Sequence, residues 1–221
     1  MQIQFISDTC QRSFENKELA VIGISPFNSY FSEERIAYLY RWAIAHFETV
    51  RFYLPDGPTV YTLRAIGYDE AKARKKARRQ CNYLHNKIRR VLGNQDLEST
   101  IVNSSWLANS QTYQERLEFC QSLFDTDEQF KEGCLNSSRW VLSHYVDKET
   151  KLDPDALAIA VKYFLSELPL FIWSADILNT GSASFCYHNC PGFLRQLFAD
   201  RAFDLVDERH GFAVIKPLSL Q

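Results

Sequence analysis

Glycine and proline are scarce in this chain of 221 residues, at eight and seven, and methionine occurs once. So few breakers exclude a linker-built or low-complexity protein, and no repeat is present. With 46% hydrophobic and 14% aromatic residues, the chain reads as one globular domain over residues 1–221 with a sizeable core. No apolar run approaches the ~18–20 residues that span a bilayer. The N-terminus, MQIQFISDTCQRS, lacks a basic stretch followed by an apolar one, which argues against secretion. A cytoplasmic protein without a membrane partner is the expectation.

Cysteine is not scarce but is unpaired in sequence. Cys10, Cys81, Cys120, Cys134, Cys186 and Cys190 contain no C-x-x-C. Cys186 and Cys190 flank His188, a spacing that fits no common zinc pattern, so buried thiols are expected and no metal. The chain also lacks G-x-x-x-x-G-K-[ST] and G-x-G-x-x-G, which excludes a P-loop and the usual dinucleotide fingerprint. A G-x-S-x-G elbow around Ser25 would need glycine where Phe27 stands, which excludes the α/β-hydrolase pattern.

What is present alternates. Strand-like segments fall at residues 20–24, 50–54, 100–103 and 184–187, with a terminal pair at 203–206 and 212–215. Helical periodicity fits 33–47, 69–92, 113–124, 128–145, 154–173 and 192–198. Strands alternating with helices imply an α/β fold around an open, mostly parallel sheet, whose ligands bind at the carboxyl ends of the strands. The stretch GISPFNSYF (residues 23–31) lies at such an end. Ser25 there is either a nucleophile or a polar turn residue, and the local sequence leaves both open.

Charge is unevenly spread. The total, 25 basic against 27 acidic residues, selects no partner. Yet residues 69–92 hold nine Lys or Arg and two acids, which leaves 16 basic and 25 acidic residues for the rest. At about 100° per residue, Lys72, Lys75, Lys76, Arg79, Lys87 and Arg90 share one face with Tyr83, opposite Ala73, Ala77, Cys81, Leu84 and Ile88. Solvated helix faces usually mix signs, so this one points to a polyanion, and RNA suits a helix laid along phosphates.

Two further segments carry chemistry. The helix at 154–173 is apolar almost throughout, yet Tyr163 and Glu167 lie i,i+4 on one face. A carboxylate there is solvated, paired, or facing a polar site. At 185–189, Tyr187 and His188 stand where a strand meets a loop.

Taken together, Ser25-Pro26-Phe27-Asn28-Ser29-Tyr30, Tyr163-x-x-x-Glu167 and Tyr187-His188 resemble the cyclodipeptide synthase family, in order and in spacing, across nearly the whole chain. Asn28, Tyr187 and His188 match the branch that carries Asn, Tyr and His at these positions. The resemblance implies a Rossmann-like domain similar to the catalytic domain of class I tyrosyl- and tryptophanyl-tRNA synthetases, without their ATP motifs. It implies two aminoacyl-tRNAs as substrates, no cofactor, and a monomer making a cyclic dipeptide. Ser25 would carry the acyl group, Tyr187 would relay protons, and Tyr163 and Glu167 would hold the α-amino group. Asn28 and His188 would order the loops. By position, Val21, Gly23, Tyr53, Leu170 and Phe185 would line the first amino-acid pocket, and the two aromatics would favour a small side chain.

Two rival classes exist: a synthetase-like tRNA-binding module without chemistry, and a serine hydrolase. The first would dispense with Ser25, Tyr187 or Glu167, and the second would need a His–acid pair beside Ser25.

Overall fold

The computed structural model describes residues 1–93, 95–145 and 153–217, with only the backbone at residue 98. The chain opens on β1 (Gln2–Phe5) and α1 (Asp8–Glu15), whose first turn is capped by Ser7 accepting from the Cys10 amide. Then come β2 (Leu19–Gly23), α2 (Glu33–Ile44), β3 (Thr49–Tyr53), α3 (Thr59–Ala65) and α4 (Glu70–Leu92). The middle holds α5 (Leu97–Thr100), β4 (Ile101–Val102), α6 (Ser104–Ala108), α7 (Gln111–Thr126) and α8 (Glu128–Leu142). The chain continues through α9 (Pro154–Ile177), β5 (Ala183–Tyr187), α10 (Gly192–Ala199), a 3-10 turn at Ala202–Asp204, and β6 (His210–Lys216).

The six strands form one sheet in the order β1-β6-β5-β2-β3-β4, parallel except for β1 against β6. β2 is buried at every position, as a central parallel strand covered on both faces must be. Its alternate side chains serve two cores. Val21 joins Tyr53, Phe185 and Phe212 beneath α7 to α10, whereas Ala20 and Ile22 join Phe52, Cys186 and Ala213 beneath α1, α2 and α4. Chain order reverses between β2 and β5, so a crevice opens where these two strands end.

Three expectations change. Residues 203–206 are not a strand: Arg201, Phe203 and Asp204 have φ of 51°, 66° and 49°, a left-handed backbone that cannot extend. The C-terminal strand instead pairs with β5 and β1. The expected strand at 100–103 shrinks to Ile101–Val102, because Thr100 ends α5 and Asn103 caps α6 by accepting from the Trp106 amide.

The third change concerns α9. It is 24 residues long, and its most apolar 18-residue window has a mean hydropathy of 1.5, long and apolar enough by composition to cross a membrane. Lys162 and Glu167 hide this from a search for unbroken runs. Here 61% of that window is buried inside the protein, and α9 packs on α3, α7 and α8. Trp173 breaks the helical dihedrals (φ −125°, ψ 36°), four residues after Pro169, and α9 runs one further turn past this kink to Ile177. Beyond the kink, the Ala175 amide donates to His210 Nδ1 (3.3 Å).

All six cysteines are free, five of them buried and Cys190 half-buried. Among the described residues no group of three or more His, Cys, Asp or Glu side chains is placed to hold a metal.

Candidate active site

The loop after β2 is a series of local devices. Ile24 still donates to the Tyr53 carbonyl (2.9 Å), so Ser25 is the first residue off the sheet. Phe27 follows with φ +62°, an uncommon conformation for an aromatic residue and a sharp reversal. Asn28 Oδ1 then accepts from the Tyr30 amide (2.9 Å), an Asx turn, and Ser32 caps α2 by accepting from the Arg35 amide (3.1 Å).

β5, the neighbour of β2, delivers the partner. Ser25 Oγ and the Tyr187 hydroxyl are 2.5 Å apart. Gly23 makes room for this: a Cβ there would stand 2.9 Å from Phe185 and 3.0 Å from Tyr187. Burial raises the Tyr187 hydroxyl well above its ordinary range, so it holds its proton at neutral pH. His188 stacks on Tyr30 (centroids 4.3 Å, planes 16° apart), and its Nε2 meets Asn28 Nδ2 at 3.3 Å. Burial, with Lys216 second, lowers His188 to about 4, so the ring is neutral.

α9 supplies the third side. Tyr163 donates to Glu167 Oε1 across one helical turn (3.0 Å). Glu167 is only 9% exposed, and burial raises its carboxyl to about 8, against a smaller opposite effect of the Tyr163 hydrogen bond. Of the three options open for this carboxylate, facing a polar site is the one the fold takes.

These residues surround a cavity of about 400 Å³ lined by Ser25, Asn28, Tyr163, Glu167, Tyr187 and His188 together. Gly23, Tyr53 and Phe185 line it too, but among the described lining residues Val21 and Leu170 do not appear. Both are fully buried. Val21 lies one pleat deeper than Gly23, directly opposite Phe185 in the sheet, and Phe185 and Tyr53, whose rings meet edge to face, line the cavity in its stead. Leu170 falls just outside the arc of α9 that carries Tyr163, Phe164, Glu167 and Phe171 to the cavity.

The cavity has a wall that sequence reasoning missed. Trp140, Val141 and His144 at the end of α8, with Tyr145, close one side, and Trp140 meets His144 edge to face (4.9 Å). An aromatic four residues before a histidine was the available signal, but nothing local says which cavity it faces. Neither cavity histidine bonds a carboxylate among the described residues: His144 Nδ1 meets the Trp140 carbonyl (2.8 Å), and His188 meets Asn28. Among the described residues no Ser–His–acid relay is built.

The basic helix α4 runs beside the Ser25 loop, with Asp69 as its cap, and the apolar face Ala73, Ala77, Cys81, Leu84 and Ile88 is buried as the periodicity requires. The basic face divides in two. Lys76 turns inward, its Nζ 2.5 Å from the Tyr68 hydroxyl and 5.7 Å from the Phe27 ring centre. Lys87 donates to the Phe31 carbonyl (3.0 Å), Arg90 pairs with Glu33 (2.6 Å), and Lys72 pairs with Asp69 (2.9 Å). Lys75, Arg78 and Arg79 are exposed and make no ion pair among the described residues.

The sequence profile of the family described as cyclodipeptide synthase matches residues 1–217. This chain belongs to the cyclodipeptide synthase family. It is 27% identical over 222 residues to a cyclo(L-leucyl-L-leucyl) synthase of Staphylococcus haemolyticus, covering 97% of this chain and 94% of the relative. It is 26% identical to a cyclo(L-tyrosyl-L-tyrosyl) synthase of Mycobacterium tuberculosis, covering 94% and 73%. Its fold superposes on the cyclodipeptide synthase of Bacillus thermoamylovorans with a TM-score of 0.92 at 26% identity, covering 99% of this chain and 96% of that one. A Mycobacterium tuberculosis structure, described as demonstrating that cyclodipeptide synthetases are related to type I tRNA synthetases, matches at 0.87 and 25% identity, covering 98% and 93%. The cyclodipeptide synthase fold of this chain is thus an α/β sheet flanked by helices, as the alternation of its elements implies.

Proposed function

We propose that this enzyme joins two aminoacyl-tRNAs into a cyclic dipeptide through acyl esters of Ser25, in the branch of the family that carries Asn28, Tyr187 and His188. The observation that carries the reading is the 2.5 Å contact between Ser25 and Tyr187 at the edge of a cavity that also holds Glu167.

A serine hydroxyl needs help to become a nucleophile. As Ser25 Oγ attacks the ester carbonyl of the first aminoacyl-tRNA, Tyr187 accepts the serine proton and gives its own to the departing ribose oxygen. The tRNA leaves with its hydroxyl restored, and the aminoacyl group is esterified to Ser25. One ester replaces another, so the step needs no ATP.

The bound amino acid now presents an α-ammonium to Tyr163 and Glu167. A free α-amino group titrates at about 7.7–8.0, and Glu167 at about 8 is matched to it. Glu167 accepts the ammonium proton, and the freed amine attacks the second aminoacyl-tRNA. A peptide bond forms and the second tRNA leaves. The new N-terminal amine then attacks the Ser25 ester, closes the six-membered ring and returns the serine hydroxyl.

Neutral His188 and Asn28 hold the two loops in register and take no proton. Tyr53 and Phe185 line the cavity and would narrow it, which favours a small first side chain. The free cations of α4 meet tRNA phosphates. Charged tRNA is a cytoplasmic substrate, which places the enzyme there, and a single chain holds every group this scheme uses.

The test is Ser25→Ala. With tRNA carrying a radiolabelled amino acid, label is expected on the wild type after acid quench and none on a folded Ser25→Ala protein, which also makes no cyclic dipeptide by mass spectrometry. Normal product from that variant refutes the scheme.

A further inference from the structure

One large ring stands on the solvent side of α4. Tyr83 is 52% exposed and belongs to none of the apolar clusters that hold the opposite face of the helix. At about 100° per residue it lies within the basic face, roughly 20° from Lys76 and roughly 40° from Arg79 on its other side. A single exposed aromatic is ordinary on a protein surface. This one is held in place. Lys87 Nζ sits over the ring, 4.4 Å from its centre, and the same ammonium donates to the Phe31 carbonyl (3.0 Å). The ring is thus fixed on one side by a cation that is itself tied to the Ser25 loop. No second ring or cation meets Tyr83 among the described residues, and the exposure leaves its other face to solvent.

A ring pinned on one face and open on the other, among unpaired cations, suits a flat group that carries negative charge beside it. A nucleotide is such a group: its base stacks on the ring and its phosphate meets a cation. Arg79, one turn before Tyr83, is exposed and supplies an unpaired cation. Within a duplex each base is covered by its neighbours, so the ring takes an unpaired base. A tRNA has one unpaired stretch that must approach Ser25, the 3′ end that bears the amino acid. Along α4, Lys76 reaches the loop at Phe27 and Lys87 reaches it at Phe31, and Tyr83 lies between them.

We propose that Tyr83 is a stacking platform for one unpaired base of the tRNA 3′ end, behind the nucleotide whose ester meets Ser25. This rests on the reading of the enzyme as one that takes its amino acids from tRNA. Every base has a flat face, so Tyr83 orients all substrate tRNAs alike and does not choose between them. Unlike the free cations of α4, it contributes without releasing counterions.

The test uses the full chain and the tRNA that labels the wild type best, uncharged, either intact or with its unpaired 3′ nucleotides removed. Tyr83→Leu is expected to bind the intact tRNA about tenfold more weakly, the effect of losing one base–ring stack. Its salt slope should match the wild type, because no phosphate contact is lost. Tyr83→Phe should bind within about twofold of the wild type, since stacking needs the ring and not the hydroxyl. On the trimmed tRNA, Tyr83→Leu and the wild type should agree within about twofold. The ratio between the two RNAs is taken within one protein, so a reduced folded fraction cancels. Tyr83→Leu binding like the wild type on intact tRNA, the same loss on both RNAs, or Tyr83→Phe as weak as Tyr83→Leu each overturn the inference and leave the tRNA reading intact. A wild type that binds neither RNA overturns that reading, and this inference with it.

Discussion

Asn28 Nδ2 faces His188 Nε2 at 3.3 Å, one hydrogen bond joining the loop after β2 to the loop after β5. The first loop carries Ser25, the proposed nucleophile, and the second follows Tyr187, its proposed proton partner, so this bond ties together the two segments whose side chains meet at 2.5 Å. Asn28→Ala and His188→Ala should each lower the acylation rate, and the double variant should be little worse than either single one. A coupling of about 1 kcal/mol or more in a double-mutant cycle is expected for groups in direct contact. Additive losses would show that the two residues act separately. With His188 already neutral, the wild-type rate should show no inflection near pH 6.5 from this ring.

Tyr187→Phe removes the proposed relay and leaves the ring that packs beside Phe31. Acylation of Ser25 should slow by about 10²–10⁴-fold, the usual contribution of a positioned acid–base group. Affinity for tRNA, measured by filter binding, should stay within about twofold, since no exposed cation is touched. A rate near wild type would transfer the relay to another group.

Glu167 links stability to pH. Its carboxyl titrates at about 8 in the fold against 4.5 for the unperturbed group. A raised carboxyl pKa means the folded state holds a proton that the unfolded state has released. The wild type should therefore lose stability as pH rises from about 4.5 to 8, by ~5 kcal/mol at most. Glu167→Gln cannot ionise. Its thermal midpoint should match the wild type below pH 4 and exceed it above pH 8, while product formation falls. Parallel melting curves across that range would mean the carboxylate is solvated or paired in the fold.

The two sides of α4 should separate in experiment. Lys75, Arg78 and Arg79 replaced together by alanine should weaken tRNA binding and flatten its salt dependence by about 2–3 log units per log of salt, at 0.7–0.9 per phosphate contact. Acylation should recover at high tRNA concentration. Lys76→Ala, which removes the contact with Phe27 and Tyr68, should lower the acylation rate at saturation instead. An unchanged slope in the triple variant would make this helix a solvated surface.

Much of this was legible in sequence because its causes are local. The period of α4, the cap at Ser32, and the buried apolar run of β2 follow from near neighbours. The partners of the strands were less so. β6 pairs with β1, some 210 residues earlier, and a four-residue edge strand such as Gln2–Phe5 leaves almost no periodic signal. α3, TVYTLRA, is rich in β-branched residues and becomes a helix because α4 and α9 pack on it. At the site, motif residues were readable but depth was not. Val21 and Gly23 share a face of β2, yet only one reaches the cavity, and that depends on the rings of Tyr53 and Phe185 from other strands.

α4 has one more consequence. Its 23 residues form a single uninterrupted rod about 35 Å long. Lys76 and Lys87 grip the loop that bears Ser25, at Phe27 and Phe31, while Arg79 and Lys75 look outward from the same turns. The rod is thus a ruler with the proposed nucleophile fastened to one edge and the free cations engraved along the other. Any polyanion seated on the outer edge is measured off against Ser25 at a fixed distance. Shortening or lengthening α4 by one residue would turn the remaining charges by 100° and move them by 1.5 Å relative to the serine. The same charges would then be present at the wrong graduation.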